Sequence, residues 1–294
     1  MASRRPRVGY LGPEGTFSEE ALLASAAREA VEPVPLASIF DTVSALRRLD
    51  VDWAIVPIEN SLEGSISVTL DLLADEARDV EIVGEVLLRV RHSLIAAQPV
   101  ELHEIDTVIT HPQVPGQCAS FLRSELASAR LLPASSTAEA VRSVVAAGER
   151  GQAALGTVLA ARIYGGIVIR EGVEDREDNE TRFVWIARLD SNAFPPPLRA
   201  AAGQRWKTSL VFWGPGADSP GWLVRCLDEF ARRSINLTKI ESRPRRERLG
   251  SYMFFVDLDG RFEDDPVAAA IAGIAPLCEE VRVLGSYPAA PPAS

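Results

Sequence analysis

The chain has 294 residues, of which 31 are Lys or Arg and 41 are Asp or Glu, so its formal net charge is −10. Hydrophobic residues make up 47% and charged residues 24%, the balance of an ordinary soluble globular protein of about two domains. A net negative surface argues against a nucleic-acid-binding protein, because phosphate binding needs a basic field. No stretch approaches the ~18 apolar residues that span a bilayer, and no apolar segment of a secretory signal follows the N-terminus, so we expect a cytoplasmic protein without membrane contact.

The first 190 residues predict alternating short strands and helices. The predicted strands are Arg7–Leu11, Val51–Ile58, long strands within Val80–Ala97, Thr107–Thr110, Leu131–Pro133, Ala153–Leu155, Ile167–Arg170 and Thr181–Leu189. The predicted helices are Ser18–Ala30, Ser38–Arg48, one near Ile66–Ala74, Gly116–Leu126, Thr137–Ala147 and Thr157–Tyr164. This alternation favours α/β layers with mostly parallel sheets. Two such runs, joined at Val80–Ala97, predict two lobes with a ligand cleft between them.

Three consecutive prolines among small residues predict a linker over 191–205. The pattern changes after it. The predicted elements are then strand Lys207–Gly214, helix Gly221–Ser234, strands Leu237–Ser242 and Ser251–Leu258, helix Pro266–Val281, which Pro276 should kink or end, and strand Val281–Tyr287. The order βαββαβ is typical of the ferredoxin-like arrangement, an antiparallel sheet with both helices on one face.

Several common catalytic and binding motifs are missing from the sequence. It contains no GxGxxG after a strand, no GxxxxGK[ST] and no GxSxG, the motifs of dinucleotide, nucleotide and α/β-hydrolase sites. Three widely separated cysteines and three histidines without HxH or HxxxH spacing predict neither a disulfide framework nor a metal site. The acidic run Glu174–Glu180 fits no EF-hand and is more typical of a solvated loop.

Four polar segments lie at strand ends, where ligands bind in α/β sheets. They are Gly12–Ser18, Pro57–Ser65, Thr110–Cys118 and Asn179–Phe183. The first leads into a helix, whose amide hydrogens and positive dipole end suit a carboxylate or phosphate. The last segment places a hydroxyl, which can donate a proton, next to a guanidinium, which can bind a carboxylate. Each segment alone is more often an ordinary loop, but together they predict a cleft for a small polar ligand.

These segments resemble the prephenate dehydratase family. The motifs are YLGPEGTFS at Tyr10–Ser18, VPIENSLEG at Val56–Gly64, THPQVPGQC at Thr110–Cys118, NETRF at Asn179–Phe183 and IESRP at Ile240–Pro244. They occur in family order over nearly the whole chain. The resemblance implies a two-lobed catalytic domain over 1–190, similar to periplasmic binding proteins, and a ferredoxin-like ACT regulatory domain over 206–294.

The resemblance also implies roles for individual residues. Thr181 matches the essential threonine of the family and Arg182 its substrate-binding arginine. Further substrate-binding positions are Glu59, Asn60, Ser61, Thr110, Gln117 and Thr16. Effector-binding positions are Gly221, Trp222, Leu223, Glu241 and Ser242. Ser135 lies where some members have glutamate and receives no role.

Trp222 departs from the family pattern, since it takes the second position of a GALV-like motif. We expect its indole to fill or wall the phenylalanine site and to weaken sensing. The alternative is that Trp222 packs in the core with Leu223, Cys226 and Phe230.

The resemblance implies decarboxylative dehydration of prephenate to phenylpyruvate, with allosteric regulation by L-phenylalanine, in a homodimer or tetramer. Aromatisation drives this reaction, so no redox cofactor is expected. The closest alternative is arogenate dehydratase, which performs the same chemistry on an amino-acid side chain. A prephenate decarboxylase is disfavoured because those relatives lack the Thr-Arg pair. A solute-binding protein fused to an amino-acid sensor is disfavoured by the same pair and by the missing signal peptide.

Overall fold

The structure is a computed structural model and describes residues 4–189, 191, 204–215 and 219–291. Most of the predicted linker 191–205 lies outside these residues. The strands are β1 (Arg7–Leu11), β2 (Glu32–Leu36), β3 (Trp53–Asn60), β4 (Gly64–Ser65), β5 (Val80–Arg89), β6 (Ser93–Ala96), β7 (Thr107–Thr110), β8 (Arg130–Pro133), β9 (Gln152–Gly156), β10 (Ile167–Arg170), β11 (Glu180–Arg188), β12 (Trp206–Trp213), β13 (Leu237–Pro244), β14 (Tyr252–Asp259) and β15 (Glu280–Pro288). The α-helices are α1 (Phe17–Ser25), α2 (Ile39–Arg47), α3 (Ser67–Asp71), α4 (Val114–Gln117), α5 (Ala119–Glu125), α6 (Thr137–Ala147), α7 (Val158–Tyr164), α8 (Trp222–Ala231) and α9 (Asp265–Ile274). None of the described helices is long and apolar enough to cross a membrane.

The chain divides into two compact units. The first contains the residues up to Leu70 together with Val86–Phe183, and the second contains Asp71–Glu85 together with Val184–Pro291. Strands β5 and β11 therefore have residues in both units. The domain limits expected from the sequence, 1–190 and 206–294, stay a prediction, as does the likeness of the first domain to periplasmic binding proteins.

The strands from β1 to β11 form two sheets, as the alternating pattern predicts. One has the strand order β2-β1-β3-β11-β5, with β4 paired to β3, and the other has the order β10-β6-β9-β7-β8. Strand β1 is parallel to β2 and β3, and β7 is parallel to β8 and β9. Strand β6 is antiparallel to both its neighbours. The class is a mixed α/β fold.

Several details of these first strands and helices differ from the prediction, among them β2 and the end of α1. The sequence analysis predicts no strand over β2, whose Pro33 and Pro35 are tolerated because β2 is an edge strand. Helix α1 ends at Ser25 rather than Ala30. The Ser25 hydroxyl donates to the carbonyl oxygens of Ala21 and Leu22, and the next residue is extended.

The second unit contains the predicted βαββαβ order. Its sheet runs β13-β14-β12-β15 and is antiparallel throughout. Helices α8 and α9 share one apolar core with β12 and β14, so both helices cover the same face. Helix α9 ends at Ile274 and passes into a 3-10 turn that contains Pro276, as predicted.

Trp222 lies in this core, so the pocket hypothesis is corrected in favour of its alternative. Its side chain is 3% exposed, with its ring about 6 Å from the rings of Phe212 and Phe254. The indole N–H donates to the carbonyl oxygen of Leu277. Because α8 begins at Trp222, the first turn directs this side chain inward with Cys226 and Phe230.

The other face of the same sheet is occupied by Asp71–Glu85. A Cβ at Gly285 would overlap the carbonyl oxygen of Ile82, so only glycine permits this approach. The buried Glu85 carboxylate accepts two hydrogen bonds of 3.0 Å from Lys207 on β12. Asp71 accepts from Arg243 Nε and Nη2 at 2.7 and 2.9 Å. A segment from early in the chain is therefore part of the second unit.

The position of Trp222 predicts a stability effect. We expect Trp222→Ala to lower the free energy of unfolding by about 3–5 kcal/mol, because it removes a large buried ring and its hydrogen bond. Val224→Ala is the matched control, since Val224 lies on the same helix and is 69% exposed. Urea unfolding followed by circular dichroism measures both. Equal effects of the two substitutions would contradict the core placement.

Candidate active site

A cleft of about 450 Å³ lies within the first unit. It is lined by residues near strand ends of both sheets and by the first turns of helices. Four of the predicted site residues line it: Thr16, Asn60, Gln117 and Thr181. Its other polar walls include Glu63, His92, His111, Gln113 and Ser135–Thr137. The segments predicted to form a cleft therefore do so.

Two helix starts contribute to the cleft walls. Thr16 is the N-cap of α1, and Ser136 is the N-cap of α6, where its hydroxyl accepts from the Glu139 N–H. Helix N-termini carry partial positive charge and free N–H groups. Among the described residues that line the cleft there is no lysine or arginine. Among these residues, the groups that could bind an anion are therefore helix N-termini, amides, hydroxyls and imidazoles.

Asn60 is held from both ends of its carboxamide. Its Oδ1 accepts from the backbone N–H groups of Leu62 and Glu63, each at 2.9 Å. Its Nδ2 donates to Asn179 Oδ1 at 2.8 Å and to Thr181 Oγ1 at 2.9 Å. Because β3 ends at Asn60 and β11 begins beside it, these bonds tie the two strands together at the cleft.

The sequence assigned no role to His92, which lines the cleft, or to Asn179, which is hydrogen-bonded to two cleft residues. His92 is 1% exposed, and its Nε2 lies 3.0 Å from Gln117 Oε1. Asn179 is also 1% exposed, and its Nδ2 donates to the same oxygen at 3.3 Å. Metal-ligand spacing in the sequence does not reveal His92. The position of His92 between β5 and β6, at the end of a buried strand, was the available indication.

Arg182 and Glu59 are not among the described residues that line the cleft, and their role in substrate binding stays a prediction. Successive residues of a strand point to opposite faces, so Thr181 in the cleft places Arg182 on the other side. By the same alternation, Asn60 faces the cleft and Glu59 lies on the opposite side of the strand. Arg182 Nη1 lies 3.5 Å from Glu59 Oε2, and the arginine side chain is 8% exposed. This ion pair links β11 and β3 behind the cleft.

Ser61 and Thr110 are also outside the cleft lining, contrary to expectation. The Ser61 hydroxyl accepts from the Glu180 N–H at 3.0 Å, so it fixes the start of β11. The Thr110 hydroxyl is buried and donates to the Leu155 carbonyl oxygen at 2.9 Å, so it joins β7 to β9. Both hydroxyls stabilise the strands that carry the site.

The predicted effector residues lie in the second unit on two different elements. Gly221 is the N-cap of α8 with φ of 75°, a left-handed conformation that favours glycine. Leu223 packs partly against the core next to Trp222. Glu241 and Ser242 lie on β13, an edge strand, and the Ser242 side chain is exposed. Their role as an effector site stays a prediction.

Comparisons with known proteins identify the chain. The family model PDT, prephenate dehydratase, matches residues 8–191. A prephenate dehydratase of Mycobacterium sp. (strain KMS) is 41% identical over 293 residues, covering 96% of this chain and 89% of that protein. The crystal structure of prephenate dehydratase from Arthrobacter aurescens in complex with L-Phe has a TM-score of 0.85 at 35% identity, covering 96% of this chain and 89% of that one. GqqA, described as a novel type of quorum-quenching acylase, has a TM-score of 0.84 at 27% identity, covering 97% of this chain and 98% of that one.

The fold and the site define an α/β enzyme with a polar cleft for a small ligand. The chain belongs to the prephenate dehydratase family, and its enzymatic class is that of the carbon–oxygen lyases.

The burial of His92 predicts a dependence of stability on pH. Burial lowers the pKa of His92 below its usual 6.5, against the opposing effects of the Gln117 hydrogen bond and the Glu174 carboxylate. As the pH falls below about 6.5, the unfolded chain binds a proton at this position before the folded protein does, so stability falls. We expect the wild type to lose more stability than His92→Gln between about pH 7.5 and 5.5. Urea unfolding at both pH values measures this, and equal losses would contradict a buried neutral His92.

Proposed function

We propose that Thr181 is the catalytic hydrogen-bond donor of a prephenate dehydratase that forms phenylpyruvate. The observation that carries this proposal is the bond from Asn60 Nδ2 to Thr181 Oγ1. A carboxamide nitrogen only donates, so the threonine oxygen accepts, and its own hydrogen remains available to the cleft. Thr181 thus faces the ligand as a donor.

The chemistry of prephenate needs such a donor. The ring bears a carboxylate and a 4-hydroxyl, and a pyruvyl side chain carries the second carboxylate. As the bond to the ring carboxylate breaks and CO2 leaves, its electron pair enters the ring. The C–O bond at position 4 breaks with its own electron pair, and the departing hydroxide takes a proton from solvent to become water. The ring becomes aromatic, so the reaction runs strongly downhill.

The Thr181 hydroxyl donates a hydrogen bond to the departing oxygen, on which negative charge develops. A threonine hydroxyl is a very weak acid, so it stabilises this charge by a hydrogen bond rather than by complete proton transfer. The bond that it accepts from Asn60 polarises the hydroxyl and fixes its direction. A preorganised donor requires little reorganisation at the moment of reaction, which is where its effect on rate arises.

The two carboxylates of the substrate need anchors, and the cleft wall offers backbone donors. The start of α6 at Ser136 and Thr137 and the start of α1 near Thr16 both border the cleft. Helix starts suit carboxylates through their N–H groups and dipole. The Gln117 carboxamide supplies a further donor. This arrangement replaces the guanidinium anchor expected from Arg182.

The direct test of the function is phenylpyruvate formation by the purified protein. We expect kcat/KM to be higher with prephenate than with arogenate, because the family model and the relatives are those of prephenate dehydratases. Because an acylase has a similar fold, the assay includes an N-acyl amide substrate as a third arm. A protein that forms no phenylpyruvate from prephenate would refute the proposal.

Replacing the Thr181 hydroxyl tests its role. Thr181→Val should lower kcat by roughly 10²–10³-fold with little change in substrate affinity, because the donor acts mainly on the transition state. Thr181→Ser should keep measurable activity. Thr238→Val is the matched control, since Thr238 is exposed on β13 in the second unit. Steady-state kinetics on prephenate measure all three, and a Thr181→Val enzyme with near-normal kcat would sink the mechanism.

We further infer that the βαββαβ part of the second unit is an ACT regulatory domain that binds L-phenylalanine. Its support is the antiparallel order and the IESRP motif on β13, together with a relative crystallised in complex with L-Phe. In the family, effector sites form across neighbouring ACT domains, so we also infer a homodimer or tetramer. The exposed Ile240 and Tyr252 side chains give this part apolar surface for such pairing.

A charge placed in the effector motif tests phenylalanine binding. Ser242→Asp should raise the Kd for L-phenylalanine by about tenfold or more, because its carboxylate repels that of the ligand. Thr238→Asp is the matched control, because Thr238 is exposed on the same strand with the same alternation. Titration calorimetry measures both. The inference fails if the two variants bind phenylalanine equally well.

A further inference from the structure

The carboxamides of Asn60, Asn179 and Gln117 form a hydrogen-bonded network. Its donors and acceptors can be assigned from backbone groups, whose roles are fixed. The N–H groups of Leu62 and Glu63 only donate, so the Asn60 atom that they contact must be Oδ1. The carbonyl oxygen of Glu180 only accepts, and it lies 3.2 Å from the other end of this carboxamide, which must be Nδ2. If the Asn60 carboxamide were rotated by 180°, its nitrogen would face two N–H groups and its oxygen would face a carbonyl oxygen.

This polarity passes from Asn60 to Gln117 through Asn179. Since Asn60 Nδ2 donates, the Asn179 atom at 2.8 Å must be Oδ1. The other end of Asn179 is then Nδ2, and it donates to Gln117 Oε1 at 3.3 Å. Gln117 Nε2 consequently lies 3.5 Å from the Glu63 carboxylate, on the cleft side. Each of these three carboxamides therefore has one allowed orientation.

The end of the network determines the tautomer of His92. Gln117 Oε1 has no hydrogen to donate, so His92 Nε2, at 3.0 Å, must carry one. The other ring nitrogen, Nδ1, is buried without a hydrogen-bond partner, so a second proton there would be an unsatisfied buried charge. Phe17 contacts the ring edge-on, with centroids 5.4 Å apart, and the Glu174 carboxylate accepts from the His92 backbone N–H. The imidazole is therefore neutral and protonated on Nε2.

We propose that His92 is a positioning residue whose Nε2–H, together with Asn179, holds the Gln117 carboxamide so that its NH2 group faces the substrate. Two donors converge on Gln117 Oε1, and rotation of the carboxamide by 180° would lose both bonds. A donor then faces the anionic ligand, and the repelling carbonyl oxygen is turned away. His92 acts on the reaction through Gln117 and does not touch the reacting atoms.

The tautomer is tested without any turnover. Long-range 1H–15N correlation spectra of the uniformly labelled wild type at about pH 7.5 distinguish the two neutral tautomers and the imidazolium. We expect one histidine with protonated Nε2 and unprotonated Nδ1, and its signals should vanish in His92→Gln. If that variant does not fold, His103→Gln and His111→Gln assign His92 by elimination. A His92 protonated on Nδ1, or doubly protonated, would overturn the proposal.

The positioning role is tested by a double-mutant cycle on the dehydratase reaction, and this part rests on the role proposed for Gln117. His92→Leu should lower kcat/KM about tenfold in the wild type but less than about twofold in Gln117→Ala, because its effect passes through Gln117. His92→Gln, which keeps an N–H donor near the Nε2 position, should stay within about threefold of wild type. His103→Gln is the control, since His103 is exposed outside the cleft. Additive effects of His92→Leu and Gln117→Ala would overturn the positioning role. A protein inactive on prephenate would instead refute the proposed function and leave the spectra to decide the tautomer.

Discussion

The Asn60 carboxamide is the constraint on which the rest of the cleft depends. Its oxygen accepts hydrogen bonds from two backbone N–H groups of its own turn. Its nitrogen donates to Thr181 at the start of β11 and to the Asn179 side chain. Aspartate at this position would present oxygens to acceptors, and leucine would leave buried polar groups unsatisfied. One side chain thereby sets the direction of the Thr181 hydroxyl and, through Asn179, the orientation of Gln117. The chemistry depends on hydrogen-bond polarity as much as on distance.

The described residues that line the cleft offer an anion backbone dipoles and amides rather than cationic side chains. This choice has a chemical logic. A guanidinium beside the ring carboxylate would stabilise the charged ground state, and that carboxylate must lose its charge as CO2 departs. Neutral donors hold the ligand with weaker bonds, so less ground-state binding has to be given up on the way to the transition state. Arg182 behind the sheet is consistent with this logic, since it balances Glu59 there.

The layered α/β class and the βαββαβ order were predictable because hydrophobic residues repeat with different periods in helices and in strands. The cleft was predictable because polar segments at strand ends converge. Strand β2 was not, since proline disfavours strands in general and the sequence does not show which strand is at an edge. The position of Arg182 outside the cleft lining follows from the two-residue period of strands, whereas the resemblance assigns Thr181 and Arg182 to one site. His92 could not be found by motif spacing, because its partner Gln117 is 25 residues away and meets it only in the folded chain.

The ion pair between Glu85 and Lys207 has a consequence for biosynthesis. The two residues are 122 positions apart, and the glutamate is 5% exposed in the folded protein. On the ribosome, Asp71–Glu85 emerges long before β12, so the Glu85 carboxylate and the apolar Ile82 stay in water while the polypeptide lengthens. The nascent chain therefore carries an uncovered, aggregation-prone surface until translation is nearly complete.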